Sequence, residues 1–412
     1  MSDANRVQLS YINEEGVFGQ GKSGSRLQIL RHTGESLKQD TSMITSEELR
    51  ADRQIADIIR TGIAVSGNIG FELSYGTFDD LLQALLCSAG WSTKKEMQNK
   101  ITISAHAYDN SLHDSASGFV AAGFVANQWI EISGFATTAN NGWRKIISVD
   151  PDEMLLSHGD MVDEVAGEAV TVQMGPQIVN GVAAPSSFNI ERQYKDLGSN
   201  VFSLFTGMCI ASMSLDIPAD AAIKGSLVFI GSKEESKTAS LGIGYKNVST
   251  TRIMTGANHV YKIFEDAAEI GLLSLSLNIN NNLRSRLQVG TLGIIGVGTG
   301  SMEITGALSV YFSSNALFDK YLGQIKTSLA IAVQDGAGNG YVIEIPSIKI
   351  TNGSRQAGGL NADVVGDFEW QGCIDEDEQI SIRIARFPVV GTDMLFGSVT
   401  GISVAAGDIT TS

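Results

Sequence analysis

Short runs of alternating apolar and polar residues recur along most of this 412-residue chain, and their period of two predicts a mainly β protein. Residues 26–31 (RLQILR) alternate as a strand. Residues 61–75 (TGIAVSGNIGFELSY) read as one or two strands, with Ile69, Phe71 and Leu73 on one face. The period then changes. Residues 77–89 (TFDDLLQALLCSA) form the clearest helix, with Thr77 as N-cap, Asp79 and Asp80 in the first turn and Gly90 as the stop. On this reading Phe71, Leu73, Phe78, Leu81 and Leu82 pack the helix on the sheet, each contributing about 1.5–3 kcal/mol of burial.

Other segments lack that clarity. Residues 1–25, with Gly16, Gly19, Gly21 and Gly24, read as an extended arm. Residues 32–60 are long, polar and charged, and a loop of that length inside a compact domain is functional or disordered. Residues 96–180 look like a separate small β unit. Its strands are expected at 99–106, 128–133, 144–149, 153–157 and 168–174, with a tight Asn-Gly hairpin in ANNGW at 139–143. The stretch 178–187 reads as a linker back, after which 186–231 and 271–390 resume the strand pattern.

The pattern repeats. Gly67-x-Ile69-x-Phe71-x-Leu73 matches Gly306-x-Leu308-x-Val310-x-Phe312 at an offset of 239. Phe78-Asp79-Asp80-Leu81-Leu82 matches Phe318-Asp319-Lys320-Tyr321-Leu322 at 240. Further on, Gly225-x-Leu227-x-Phe229-x-Gly231 matches Gly366-x-Phe368-x-Trp370-x-Gly372 at 141, and Ser187-Phe188-x-Ile190 matches Ser328-Leu329-x-Ile331. The offset falls by about 99, so the first copy carries that many extra residues. That agrees with the span 92–185 set apart by composition. The counterpart of 32–60 in the second copy, 281–303, is shorter and glycine-rich.

Composition changes the picture in three ways. A hydrophobic fraction of 43% allows real cores, and 45 glycines against six prolines fit many strands joined by turns. The formal net charge of −16 disfavours nucleic-acid binding but does not disfavour a surface that DNA must slide past. Cys87, Cys209 and Cys373 form no CxxC pair or metal-like cluster, and are read as reduced thiols in a protein assembled in the cytoplasm. No signal-peptide pattern opens the chain and no apolar run is long enough to span a bilayer. Around His32, His106, His113, His158 and His259 there is no HExxH, and GxSxG, P-loop and Rossmann fingerprints are missing, so neither enzyme, metal nor cofactor is expected. The glycine run 290–300 lacks the order of a nucleotide loop. Residues 335–340 (DGAGNG) lack the twelfth-position Glu of a calcium loop and read as a hairpin turn.

Thr45-Ser46-Glu47-Glu48-Leu49-Arg50-Ala51-Asp52-Arg53-Gln54, then Gly67-Asn68-Ile69-Gly70-Phe71-Glu72-Leu73-Ser74-Tyr75, then Phe78-Asp79-Asp80-Leu81-Leu82 resembles the tail tube (major tail) proteins of long-tailed siphophages and prophages. The likeness is dense over 41–86, looser over 118–149, and recognisable over 186–231 and 306–390. It implies a β-sandwich flanked by a helix, six units per ring, stacking through a long loop and the terminal arms, and a lumen that conducts DNA. The expected architecture is mainly β (α+β): an arm at 1–25, a first tube domain at 26–91 plus 186–235, an inserted β domain at 92–185, a second tube domain at 236–390, and an arm at 391–412. Two units per chain predict a trimeric ring with pseudo-sixfold symmetry, a hexamer being the alternative. The resemblance further implies a virion tail location and tape-measure and tail-terminator partners, with no membrane. Contact candidates between rings or subunits are Glu47, Glu48, Arg50, Asp52 and Arg53. Strand alternation gives Asn68, Glu72, Ser226, Glu303, Ser309, Asp367 and Glu369 as lumen candidates. The rival reading is a carbohydrate- or receptor-binding decoration or fibre module. For it, Phe119, Phe124, Trp129, Phe135 and Trp143 of the insert are either core or a sugar-stacking surface.

Overall fold

A computed structural model describes residues 3–389 apart from 15, 158–159, 198–200, 267 and 358, so the expected C-terminal arm at 391–412 lies outside the described residues. The first unit contains β1 (Val7–Asn13), β2 (Arg26–Leu30), β3 (Lys38–Thr45), β4 (Ile58–Glu72) and helix α1 (Asp79–Leu85). After the insert it resumes with β5 (Phe188–Tyr194), β6 (Phe202–Pro218) and β7 (Lys224–Gly231). The second unit contains β8 (Val260–Glu265), β9 (Ser274–Asn280), β10 (Glu303–Tyr311), helix α2 (Ala316–Gly323), β11 (Thr327–Gln334), β12 (Gly340–Ala357), β13 (Val364–Gly372) and β14 (Arg383–Phe387).

Each unit is two sheets packed over a common core. The long strands β6 and β12 run through both sheets of their units. Each is bulged at the crossing, between Ile210 and Ser212 and between Ile350 and Asn352, where an extra residue bends the strand. In the first unit one sheet is β2–β1–β5–β6 and the other is β3–β4–β7–β6. In the second, β8–β11–β12 repeats β1–β5–β6 with β14 added beside β12, and β9–β10–β13–β12 repeats the other sheet. The structure supplies the physical reason for the repeated glycine frame. Gly225 pairs with Phe71, Gly67 with Phe229 and Gly306 with Trp370, so each glycine lies across from an aromatic on the next strand. A Cβ on Gly225 would sit 2.3 Å from the Phe71 ring, and one on Gly306 would sit 2.3 Å from Trp370. Only glycine leaves room for the ring to lie flat across the ladder.

Several expectations are corrected. Residues 7–13, expected in an arm, are a paired strand with Leu9 and Tyr11 buried. Residues 32–60 are not a loop: β3 and β4 pair from Lys38–Ser66 to Thr45–Ile58, leaving only 46–57 as the tip of a long hairpin. Thr77 does not cap the helix, because its hydroxyl bonds Ser74 Oγ at 2.7 Å and Phe78 holds the N-cap position. The helix stops at Leu85, where the chain turns through a left-handed Cys87 (φ 48°), well before Gly90. The Asn-Gly hairpin is not tight: strands Trp129–Ser133 and Gly142–Val149 are joined across 134–141. Asn140 and Asn141 spend their amides stapling that loop, to Val162 O and Glu164 and to Phe135. The DGAGNG segment is the turn between β11 and β12, with Asp335 Oδ1 accepting from the N–H groups of Ala337 and Asn339. After 235 the chain stays with the first unit, where Lys233–Lys237 pairs with β6 and Gly244–Lys246 with β2.

The insert is a seven-stranded sheet between Lys95 and Met174 with its own core. It is not tethered loosely. Trp129 and Trp143 leave that core and pack on Phe264, Ala330, Val342 and Phe387 of the second unit. Lys145 reaches Glu344 and Glu378 at 2.6 Å each, and Arg383 joins both carboxylates from the other side.

Candidate functional site: a continuous sheet with a polar face

The candidate surface grows from one junction. The second half of β6 pairs with β9, from Ser212–Asn280 to Pro218–Ser274. That ladder fuses the two units, so eight antiparallel strands run in the order β3–β4–β7–β6–β9–β10–β13–β12. One face of this sheet is the core. Met213, Leu215 and Ile217 meet Leu275, Leu277 and Ile279 there, all buried.

The other face is polar, and the period of two dictates its membership. All seven lumen candidates lie on it. Asn68, Glu303, Asp367 and Glu369 are exposed, and Glu72, Ser226 and Ser309 are half-buried. They are knitted together: Asn68 Nδ2 donates to Ser226 Oγ (3.2 Å) and Ser309 Oγ to Asp367 Oδ1 (2.7 Å). Sequence reasoning missed Lys38, Asp40, Asp216 and Lys224 on the same face. Acids outnumber bases there, with Asp40, Glu72, Asp216, Glu303, Asp367 and Glu369 against Lys38, Lys224 and Lys349. Serines and asparagines fill the rest.

The five core candidates are buried as expected, and Phe71 and Phe78 touch at 4.4 Å between centroids. Asp79 does more than face the helix dipole. It is buried, takes hydrogen bonds from Tyr341 and Arg386 of the second unit, and so ties α1 across the junction. Burial pushes its carboxyl above the usual range, and the Arg386 charge opposes that.

The contact candidates Glu47, Glu48, Arg50, Asp52 and Arg53 are all exposed at the hairpin tip. Arg50 and Asp52 pair with each other (Nε–Oδ1 3.0 Å). The sequence reading overlooked the hairpin's apolar residues: Met43, Ile44, Leu49, Ile55, Ile58 and Ile59 are all exposed, Leu49 at 99%. The counterpart segment in the second unit also forms a hairpin (Arg284–Arg286 with Gly296–Gly298), and it leans on the first. Ile63 N–H donates to Leu292 O at 2.8 Å.

On the insert, Phe119, Phe124, Trp129, Phe135 and Trp143 are all buried, so none offers a ring for sugar stacking. A cluster that residue spacing did not show also lies here. Asp109 and Glu153 carboxylates approach His113 Nε2 at 3.9 and 3.4 Å, because Glu153 is the cross-strand partner of His113. Among the described residues, no helix is long and apolar enough to cross a membrane.

Two tandem sandwich units share one sheet with a polar face, and an apolar hairpin projects from it. The chain belongs to the phage tail tube protein family, whose model matches residues 4–372. No curated protein matches it.

Proposed function

We propose that three copies of this chain close into a ring of six units, and that stacked rings form the tube through which DNA leaves the phage virion. The carrying observation is the fused eight-stranded sheet: a single chain already joins two units edge to edge, with the polar face continuous across the join. Repeating that join by rotation yields a closed wall whose inner surface is the acidic, serine- and asparagine-rich face. A wall of that charge repels the DNA backbone and keeps it from sticking in transit. Glu72, Glu303, Asp367 and Glu369 supply the charge, and Asn68, Ser226 and Ser309 supply neutral hydrophilic surface. Assembly in the host cytoplasm, with tape-measure and tail-terminator proteins as further partners, belongs to the same reading. Native mass spectrometry of the purified assembly tests it. Three copies of the 43.8 kDa chain per ring are expected. Six copies would support the hexamer, and single chains under all conditions would sink the ring.

The exposed apolar hairpin supports stacking through 32–60. Six large apolar side chains on a two-stranded projection are a poor arrangement for water and a good one for a neighbouring ring, at about 1.5–3 kcal/mol for each side chain covered. The double variant Leu49→Asp/Ile55→Asp is expected to leave rings intact and to abolish long tubes in negative-stain images. Tubes of unchanged length would remove the hairpin from the stacking contact.

A further inference from the structure

The duplication allows the contact between chains to be read from the contact within one. Within the chain, residues 212–218 of β6 receive 274–280 of β9. The corresponding segment of β12 is 352–357: Ser212 faces Val228 as Asn352 faces Glu369, and those pairs are related by the repeat. On its second side β12 pairs with β11 only as far as Ile348, so among the described residues 352–357 is an open edge. The corresponding segment of β9 is 34–40: Asn280 faces Glu303 as Asp40 faces Ala64, and Ser274 faces Ser309 as Gly34 faces Gly70. Among the described residues its strand pairing, over 34–35 and 38–40, is with β4 alone, while Leu37 between those stretches accepts at its carbonyl from Arg192 Nη2 (2.6 Å).

We infer that the open edge Asn352–Ala357 of one copy receives Gly34–Asp40 of a second copy as an antiparallel strand. Transferring the internal register sets Asn352 against Asp40, Ser354 against Lys38, Arg355 against Leu37 and Ala357 against Glu35. The inference rests on the ring reading above and adds the two edges and their register.

The helices give an independent sign. At the internal junction α1 is covered by the next unit: Leu82 and Leu85 are buried, and Asn281 Nδ2 donates to Leu85 O at 2.7 Å. The matching residues beside the open edge, Leu322 and Ile325, are 65% and 52% exposed. The same apolar positions are thus buried where a following unit exists and bare where none does. A second copy docked in this register supplies that unit, with Thr41 in the place of Asn281.

The two junctions differ in chemistry. The internal one is apolar throughout its core face. The one between chains sets Gly353, Arg355 and Ala357 against Gln39, Leu37 and Glu35, with Glu35 held by Arg192 of its own unit and Arg355 lying over the Phe318 ring.

Cysteine pairs test the register in a Cys373→Ser background. Lys38→Cys/Ser354→Cys is expected to give, on oxidation, covalent dimers and a closed covalent trimer on a non-reducing gel. Lys38→Cys/Gln356→Cys, two residues out of register, is expected to remain largely uncrosslinked. Crosslinking preferred in the second pair, or in neither pair while native mass spectrometry shows rings, overturns the register and leaves the ring reading standing. Absence of rings in the unsubstituted protein overturns both. As a second readout, Leu322→Asp is expected to fold as a single chain and to lose ring formation; a full yield of rings would remove the helix from the contact.

Discussion

Arg383→Met is expected to lower stability by about 3–5 kcal/mol in denaturant unfolding, because it strands carboxylates in the interior. Glu344 and Glu378 side chains are 3% and 6% exposed, and both depend on Arg383 and Lys145 for charge compensation. Arg383 also donates to Asn127 O of the insert at 2.6 Å, so one guanidinium spans the second unit and the inserted domain. The double variant Arg383→Met/Glu344→Met, which removes a charge from each side, is expected to recover much of the loss. A cost below about 1 kcal/mol for the single variant would mean that water reaches the site and compensates. The pH dependence has a definite sign. Burial lowers the Lys145 pKa, but the Glu344 and Glu378 carboxylates outweigh that and raise it above its usual 10.5. A base whose pKa is raised by folding contributes stability that is complete below the unfolded value and is lost as pH climbs through the folded one. On the basic side the docked insert should therefore hold through neutral pH and loosen above about 10.5.

That network also marks where sequence reading stops. Lys145 and Glu344 lie far apart along the chain, and no local period links them. The same holds for Asp109, His113 and Glu153, which become neighbours only through strand pairing. What was legible had a buried face behind it. Strands β4, β7, β10 and β13 each put one face into the core, so their alternation and glycine frame survive in the sequence and expose the duplication. The hairpin arm of β3 has no buried face beyond Thr41: residues 41–45 are exposed on both sides, so no period of two is impressed on them and the segment reads as loop. Trp129 and Trp143 were legible as buried but not as a docking face, because an aromatic that packs on another domain has the same composition as one that packs at home. The helix itself is legible from its apolar spacing, whereas its cap is not, because the Thr77 hydroxyl is taken by Ser74 three residues back.

Phe71→Asp is expected to have the larger effect and to prevent folding. Phe71 is 2% exposed, lies on Phe78 and covers Gly225 on the neighbouring strand. Truncating such a ring costs about 3–5 kcal/mol, and an unpaired carboxylate in its place adds several more. The total is comparable to the whole stability of an ordinary domain, about 5–15 kcal/mol. The loss should extend beyond one unit, because the hydrophobic core runs unbroken from Phe71 through Leu215 and Leu277 to Phe368. The neighbouring change Glu72→Gln supplies the contrast. Its side chain lies one residue along the same strand but on the polar face, so folding should be unaffected while that face loses one negative charge per copy. Circular dichroism and size-exclusion chromatography of the two variants decide the matter. Collapse of Phe71→Asp beside a fully folded Glu72→Gln is the expected pair of results, and soluble, folded rings of Phe71→Asp would show that the two faces of this sheet have been assigned the wrong way round.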